Sequence, residues 1–260
     1  MTISAKDTQP TRPTGPVFEF STASVPIQLP QKLRGSRKIR SRSAISARGV
    51  LVARIRGAER LTRIGYESSL ERSFALMALA GVETVDIVEQ PFTLRYIDAA
   101  GRTRRYTFDY LVTKRDGRRI AIEVKTSQQA KKPKVIEKIS DAASRLVPDY
   151  ADEVFLFTER NFTHTQIENA EQFMNCQREI DPDADDQLAE IISALKSNMT
   201  VSDLVKVSGL AERGYPAVVR AMYNNLLHWD RQALIGPKTM VSREVAQCPV
   251  PALKRRASTE

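Results

Sequence analysis

Asp109, Glu123 and Lys125 lie within the stretch RRYTFDYLVTKRDGRRIAIEVK, and their types suit work on a phosphate ester. Apolar and polar residues alternate on both sides of Lys114-Arg115-Asp116-Gly117-Arg118, the pattern of two β-strands joined by a glycine-containing turn. A loop of Arg115-Asp116-Gly117, with Gly117 in the left-handed conformation, sets Lys114 opposite Arg118. Asp109 then faces Glu123, and Thr107 faces Lys125. One face of the hairpin carries Asp109, Glu123 and Lys125, while Tyr106, Phe108, Tyr110, Ile120, Ile122 and Val124 take the other. Opposed carboxylates repel unless something positive lies between them. A divalent metal with oxygen ligands is the simplest candidate, and Lys125 beside it could orient or deprotonate a water. The plainer alternative is a surface ion pair between Glu123 and Lys125, worth under about 1 kcal/mol. It leaves Asp109 unexplained, in a strand where aspartate is disfavoured.

The flanking segments must position this hairpin. Leu70, Phe74, Met77 and Ala78 recur at helical spacing before Gly81, which predicts a helix from about Glu67 to Ala80 with Glu67 and Glu71 on one side. Val85–Val88 and Thr93–Ile97 read as strands, with Gln90-Pro91 between them and a turn at Asp98–Gly101, so a three-strand antiparallel meander is expected. Gln90 serves either the site or the turn before Pro91. Beyond Lys125 a helix should begin at Pro133, and Asp152–Thr158 fits a buried parallel strand. The expected class is α/β, a mixed sheet core with flanking helices. His164 stands alone and suits a cap or loop better than metal ligation.

The formal net charge of +9 and a pI near 9.7 point to a polyanionic partner, most simply nucleic acid. Eleven basic residues against the single acid Glu59 lie between Lys32 and Arg63. Lys32, Arg34, Arg37, Lys38, Arg40, Arg42, Arg54 and Arg56 among them, with Lys131, Lys132 and Lys134 further on, are candidate phosphate contacts. A solvated charged face is the alternative for such a run. Cys176 and Cys248 are far apart and form no CxxC, which supports neither a disulfide framework nor a zinc cluster and suits free thiols in a reducing cytosol. No apolar run reaches 18 residues, so no membrane span or secretory signal is expected.

An acid on a helix, then Asp109, thirteen intervening residues and Glu123-Val124-Lys125 resemble the PD-(D/E)xK nuclease pattern, with Tyr106-Thr107-Phe108 where the nominal proline would stand. The wider series Ser69-Leu70-Glu71-Arg72, Glu89-Gln90-Pro91-Phe92, Tyr106–Val112 and Ile122-Glu123-Val124-Lys125 resembles the TnsA-type transposon endonucleases over roughly residues 60–165. The resemblance implies a restriction-endonuclease-like core that cuts the 5′ side strand at transposon ends. Glu71, Asp109 and Glu123 would surround Mg2+, with Mn2+ able to substitute, and Lys125 would complete the catalytic set. It also implies double-stranded DNA, a DDE-type transposase subunit and an AAA+ ATPase regulator as partners, in the prokaryotic cytoplasm at the nucleoid. A non-catalytic DNA-binding adaptor on the same scaffold, and a stand-alone restriction-type or junction-cleaving nuclease, are the alternatives.

The acidic stretch from Ile180 to Asp186 breaks the pattern and suggests a boundary. The expected organisation is a flexible basic arm over 1–45, an endonuclease domain over 46–178, a winged helix-turn-helix-like domain over 179–246 and a basic tail over 247–260. Three helical patterns follow Asp186, with Gly209 and Gly214 at their joints and a possible wing from His228 to Ser242. This module could touch DNA through Arg213, Arg220 or Lys238, or dock a protein; the resemblance favours docking. Trp229 is expected to be a local core residue.

Overall fold

In a computed structural model, which describes residues 29–37, 46–98, 101–146 and 150–243, the hairpin forms with the turn expected of it. Gly117 has φ +85°, and the Lys114 amide donates to the Arg118 carbonyl at 2.8 Å. Strands β1 (Gly49–Arg54) and β2 (Leu61–Tyr66) precede helix α1 (Ser69–Ala80) and strand β3 (Thr84–Glu89). A ribbon of β4 (Thr93–Ile97) and β5 (Thr103–Thr107) leads into β6 (Tyr110–Lys114) and β7 (Arg119–Val124). Then come α2 (Ser127–Ala130), α3 (Pro133–Ser144) and β8 (Glu153–Phe157). The main sheet has the order β3-β6-β7-β8; β7 and β8 run parallel, as predicted, and the other neighbours are antiparallel.

The three-strand meander does not form. Thr107 pairs with Thr93 in the ribbon and not with Lys125, whose amide donates to Phe157 O instead. The cause lies at Asp109. Its amide donates to the carbonyl of Ile122 at 2.9 Å, although Ile122 is already the partner of Tyr110. An extra residue against one partner is the signature of a β-bulge, and it reverses the facing of everything before it. Tyr106 and Phe108 therefore join Leu94, Ala121, Ile139 and Ala142 beneath α3, whereas Tyr110, Ile122 and Val124 pack beneath α1. The expected shared face of Tyr106, Phe108 and Tyr110 is thus corrected.

Three further expectations change. The helix starts at Ser69, with Ser68 as its N-cap, so Glu67 lies outside it. β8 is parallel but not buried on both faces; Phe155 is 43% exposed on this edge strand. β1 and β2 pair as an antiparallel hairpin within the segment read only for its charge.

The chain continues through α4 (His164–Cys176), α5 (Pro182–Ala194), β9 (Met199–Thr200), α6 (Val201–Ser208), α7 (Gly214–Tyr223) and β10 (Met240–Val241). The acidic stretch is the start of a helix, with Asp181 as the N-cap of α5 and Pro182 in its first turn. One apolar cluster runs from β2 and α1 through α4 to α7, including Ile64, Leu79, Phe173, Val218 and Tyr223. The Tyr223 hydroxyl donates to Leu79 O at 3.2 Å, and Arg220, 3% exposed, donates to Asp185 at 2.8 Å. Trp229 packs edge-on to Phe173, the core role expected of it. His164, the first residue of α4, is exposed and lies 3.3 Å from Glu168.

Phe74 ties α1 to the sheet, with ring centroids 5.1 Å from Tyr110 and 5.0 Å from Phe157. Phe74→Ala should cost about 4 kcal/mol of stability, read as a lowered urea midpoint at unchanged slope.

Candidate active site

The bulge that reverses the strand also aims Asp109. Its Oδ2 accepts the Val124 amide at 2.8 Å and lies 3.6 Å from the Lys125 ammonium. Glu123 is 4% exposed, with Oε1 2.5 Å from the same ammonium. Lys125 also donates to the Val124 carbonyl at 3.0 Å, and the Tyr106 hydroxyl hydrogen-bonds Glu123. The two carboxylates thus converge on one cation, although the bulge sets Asp109 against Ile122 and not opposite Glu123 as the regular hairpin register predicted.

Burial pushes the Asp109 carboxyl up, opposed by Lys125 and the Val124 amide. Glu123 is raised by burial and by Asp109's charge, again against Lys125. Burial disfavours the ammonium of Lys125, but Asp109 and Glu123 outweigh it and hold the lysine above its ordinary value. Lys125 therefore keeps its proton at neutral pH and acts as a donor.

Glu71 occupies the third position of α1, and its carboxylate folds back over the start of the helix. Its amide donates to Ser68 Oγ at 3.1 Å, while its own carboxylate accepts from Ser68 Oγ at 3.0 Å and from the Glu67 amide at 2.7 Å. Burial, then the charge of Asp109, pushes it up to about 7. Among the described residues no three acidic, histidine or cysteine side chains are gathered as a ready metal cage. The donor chemistry nevertheless suits a hard cation. Glu123 Oε2 is buried without a hydrogen-bond partner, and one oxygen each of Asp109 and Glu123 lies within 3.6 Å of the Lys125 ammonium.

A strap over residues 31–37 crosses the end of β3 beside this group. The amides of Arg34 and Gly35 donate to Glu89 Oε1 at 2.9 and 3.0 Å, and a Cβ on Gly35 would come within 3.0 Å of the Glu89 carbonyl. Ser36 donates through both amide and hydroxyl to Gln90 O, each at 2.8 Å. Arg37 reaches Gln90 Oε1 at 2.7 Å and Glu67 Oε2 at 2.8 Å. Gln90 is buried at φ +41°, a conformation unusual for a side-chain-bearing residue, and its amide donates to Asp109 O at 2.8 Å. Gln90 therefore couples the strap to the bulge, a role that Gln90-Pro91 hinted at without revealing its partners.

The other candidate contacts divide. Arg34 pairs with Asp86 at 2.6 Å, Arg54 donates to the carbonyls of Ala58 and Glu59, and Arg56 donates to Tyr223 O at 2.8 Å while lying over its ring. These three are engaged within the protein. Lys32, Lys131, Lys132 and Lys134 are exposed. Lys38, Arg40, Arg42, Cys248 and the basic tail lie outside the described residues.

A folded-state value near 7, above the ordinary carboxylate value of 4.5, means that Glu71 holds its proton where the unfolded chain has released it. Its contribution to stability is present below about 4.5 and is lost as pH rises through about 7. Glu71→Gln, which keeps the bond from the residue 71 amide to Ser68, should remove about 3 kcal/mol of that pH-dependent loss in metal-free protein, measured as urea midpoints across a pH series.

No curated protein matches the chain. Residues 82–153 match the family model described as TnsA-like endonuclease N terminal, a span that holds Asp109, Glu123 and Lys125 and leaves Glu71 outside. The sheet strands β3, β6 and β7, with the paired carboxylates and their lysine, are therefore similar to the N-terminal region of a TnsA-type nuclease.

Proposed function

We propose that this protein is a metal-dependent DNA endonuclease, one subunit of a heteromeric transposase, that hydrolyses the 5′ side strand at transposon ends. The carrying observation is the convergence of Asp109 and Glu123 on Lys125, within the span similar to TnsA-type nucleases. Asp109, Glu123 and a turned Glu71 would hold Mg2+ or Mn2+, which supplies an acidified water and charge neutralisation at the scissile phosphate.

The chain's own residues supply the rest. The Val124 amide and the Gln90 amide clamp the side chain and carbonyl of Asp109, so this carboxylate is held in place before substrate arrives. Lys125, still protonated, would offer its N–H groups to a phosphate oxygen once the carboxylates are otherwise engaged. Tyr106 keeps Glu123 oriented. Arg37, carried by the strap to Gln90 and Glu67, stands beside the acids as a second donor for a phosphate.

The turned-away Glu71 favours a site completed during assembly with the DDE-type transposase and DNA. The C-terminal region would engage the AAA+ ATPase as a winged-helix-like docking module. Buried side chains from Ala217 to Tyr223 line α7, which leaves it no free face to enter a DNA groove and favours docking over base reading. No helix among the described residues is long and apolar enough to cross a membrane.

The test is reconstitution with the cognate DDE-type transposase on DNA carrying transposon ends. Wild type should cut the 5′ side strand with Mg2+ or Mn2+ and lose this with chelator. Asp109→Ala and Lys125→Ala should each reduce cutting by at least about a thousandfold, while circular dichroism shows a retained fold. Cutting by Asp109→Ala at the wild-type rate would remove the proposed site.

A further inference from the structure

The β4–β5 ribbon stands apart from the main sheet. Its inner face, with Leu94, Tyr96 and Tyr106, rests over α3. On its outer face the cross-strand pairs are Thr93 with Thr107, Arg95 with Arg105 and Ile97 with Thr103, and nearly all of these positions are exposed. Two arginines placed directly opposite each other in an antiparallel pair repel, and a two-stranded ribbon is marginal in water to begin with. Nothing in the packing of the ribbon calls for this pair.

The neighbouring surface has the same sign. A groove of about 810 Å³ separates the ribbon from α3 and is lined by Arg102, Arg104, Arg105, Lys134 and Lys138, with Asp98, Glu137 and Asp141 as the opposing acids. Asp98, largely buried, accepts from Arg102 Nε at 3.1 Å and Arg104 Nε at 2.8 Å, which restrains both guanidinium groups. The surface is also continuous with the candidate site. Thr107 ends the ribbon two residues before Asp109, and the Lys138 ammonium lies 5.1 Å from the ring centre of Tyr106, whose hydroxyl reaches Glu123.

We propose that the outer face of this ribbon and its groove against α3 form a clamp for the sugar-phosphate backbone of the DNA duplex that flanks the cutting site. The identity of the duplex as the cut substrate rests on the endonuclease reading; the clamp itself rests on the arginine pair and the groove. A five-residue strand is roughly 17 Å long, about the span of five phosphates along one strand. Arg95 and Arg105 would meet phosphates from the outer face, and Lys134 and Lys138 from the groove. Phosphate charge would relieve the repulsion that the free ribbon retains. The contacts address backbone, so binding should be insensitive to sequence and sensitive to salt.

The experiment measures anisotropy of a labelled duplex of arbitrary sequence with the full chain, in chelator, across a salt series. Arg95→Ala/Arg105→Ala should make the dependence of log affinity on log salt shallower by about 2 and weaken binding about tenfold at low salt. Arg105→Glu places an acid opposite Arg95; it should weaken binding at least as much while the melting temperature holds or rises. Lys206→Ala, on the exposed face of α6, should match wild type. An unchanged salt slope in the double variant would overturn the clamp, as would equal weakening by Lys206→Ala, or a fall in melting temperature accompanying lost binding in both arginine variants. A slope unchanged for DNA with binding of polyglutamate abolished would assign the surface to an acidic protein instead. Divalent ions are absent throughout, so the endonuclease reading is tested separately: no cutting by wild type in the Mg2+ reconstitution, with an intact salt slope here, would be its failure and not the clamp's.

Discussion

A single ammonium group makes the centre of this fold tolerable. Asp109 and Glu123 carry negative charge into a region where β7 is buried from Ala121 to Val124; burial raises the cost of ionising both, and the charge of Asp109 adds to that of Glu123. Lys125, two residues beyond Glu123, returns to both carboxylates and to the carbonyl of Val124. Without it the two buried acids would have to take up protons to stay in the sheet uncharged. The arrangement stores reactivity in the ordinary sense of an unsettled electrostatic balance: Glu123 retains an unpartnered oxygen, and Glu71 nearby is held protonated to about neutral pH.

The bulge at Asp109 turns this local chemistry into architecture. A regular strand would have kept Tyr106, Phe108 and Tyr110 together and left one face of the sheet poor in aromatics. With one extra residue opposed to Ile122, two aromatics go to the α3 side and Tyr110 stays under α1, where its hydroxyl donates to Gly65 O at 2.9 Å. Both faces of β7 are thereby covered. The same interruption frees β5 to pair with β4 as a separate ribbon beside the site.

Much of this was legible in the chain and some was not, for identifiable reasons. Glycine chemistry at Gly117 set the hairpin register from Tyr110 to Thr113, because φ above zero leaves few turn types available. The bulge was invisible because strict alternation continues through Thr107-Phe108-Asp109-Tyr110, and only hydrogen bonding to Ile122 reveals the extra residue. Ser68-x-x-Glu71 has the sequence spacing of a helix N-terminus, which could have been read directly and would have placed Glu67 before the helix. The β1–β2 hairpin was obscured by its arginines, although Ala53, Ile55 and Ile64 supplied buried positions and Leu51 a half-buried one. The tie from Glu89 to Arg34 and Gly35 spans more than fifty positions and leaves no local pattern.

The latch at the start of α1 has a mechanical corollary. One carboxylate cannot both latch the first turn of a helix and swing toward Asp109, so its departure strands the Glu67 amide and loosens the Ser68 hydroxyl. Exchanging one occupation for the other costs on the order of 1 kcal/mol, the worth of a helix cap. In this structure Glu71 rests on the latched side of that exchange, its carboxylate shared between a backbone amide and a serine hydroxyl.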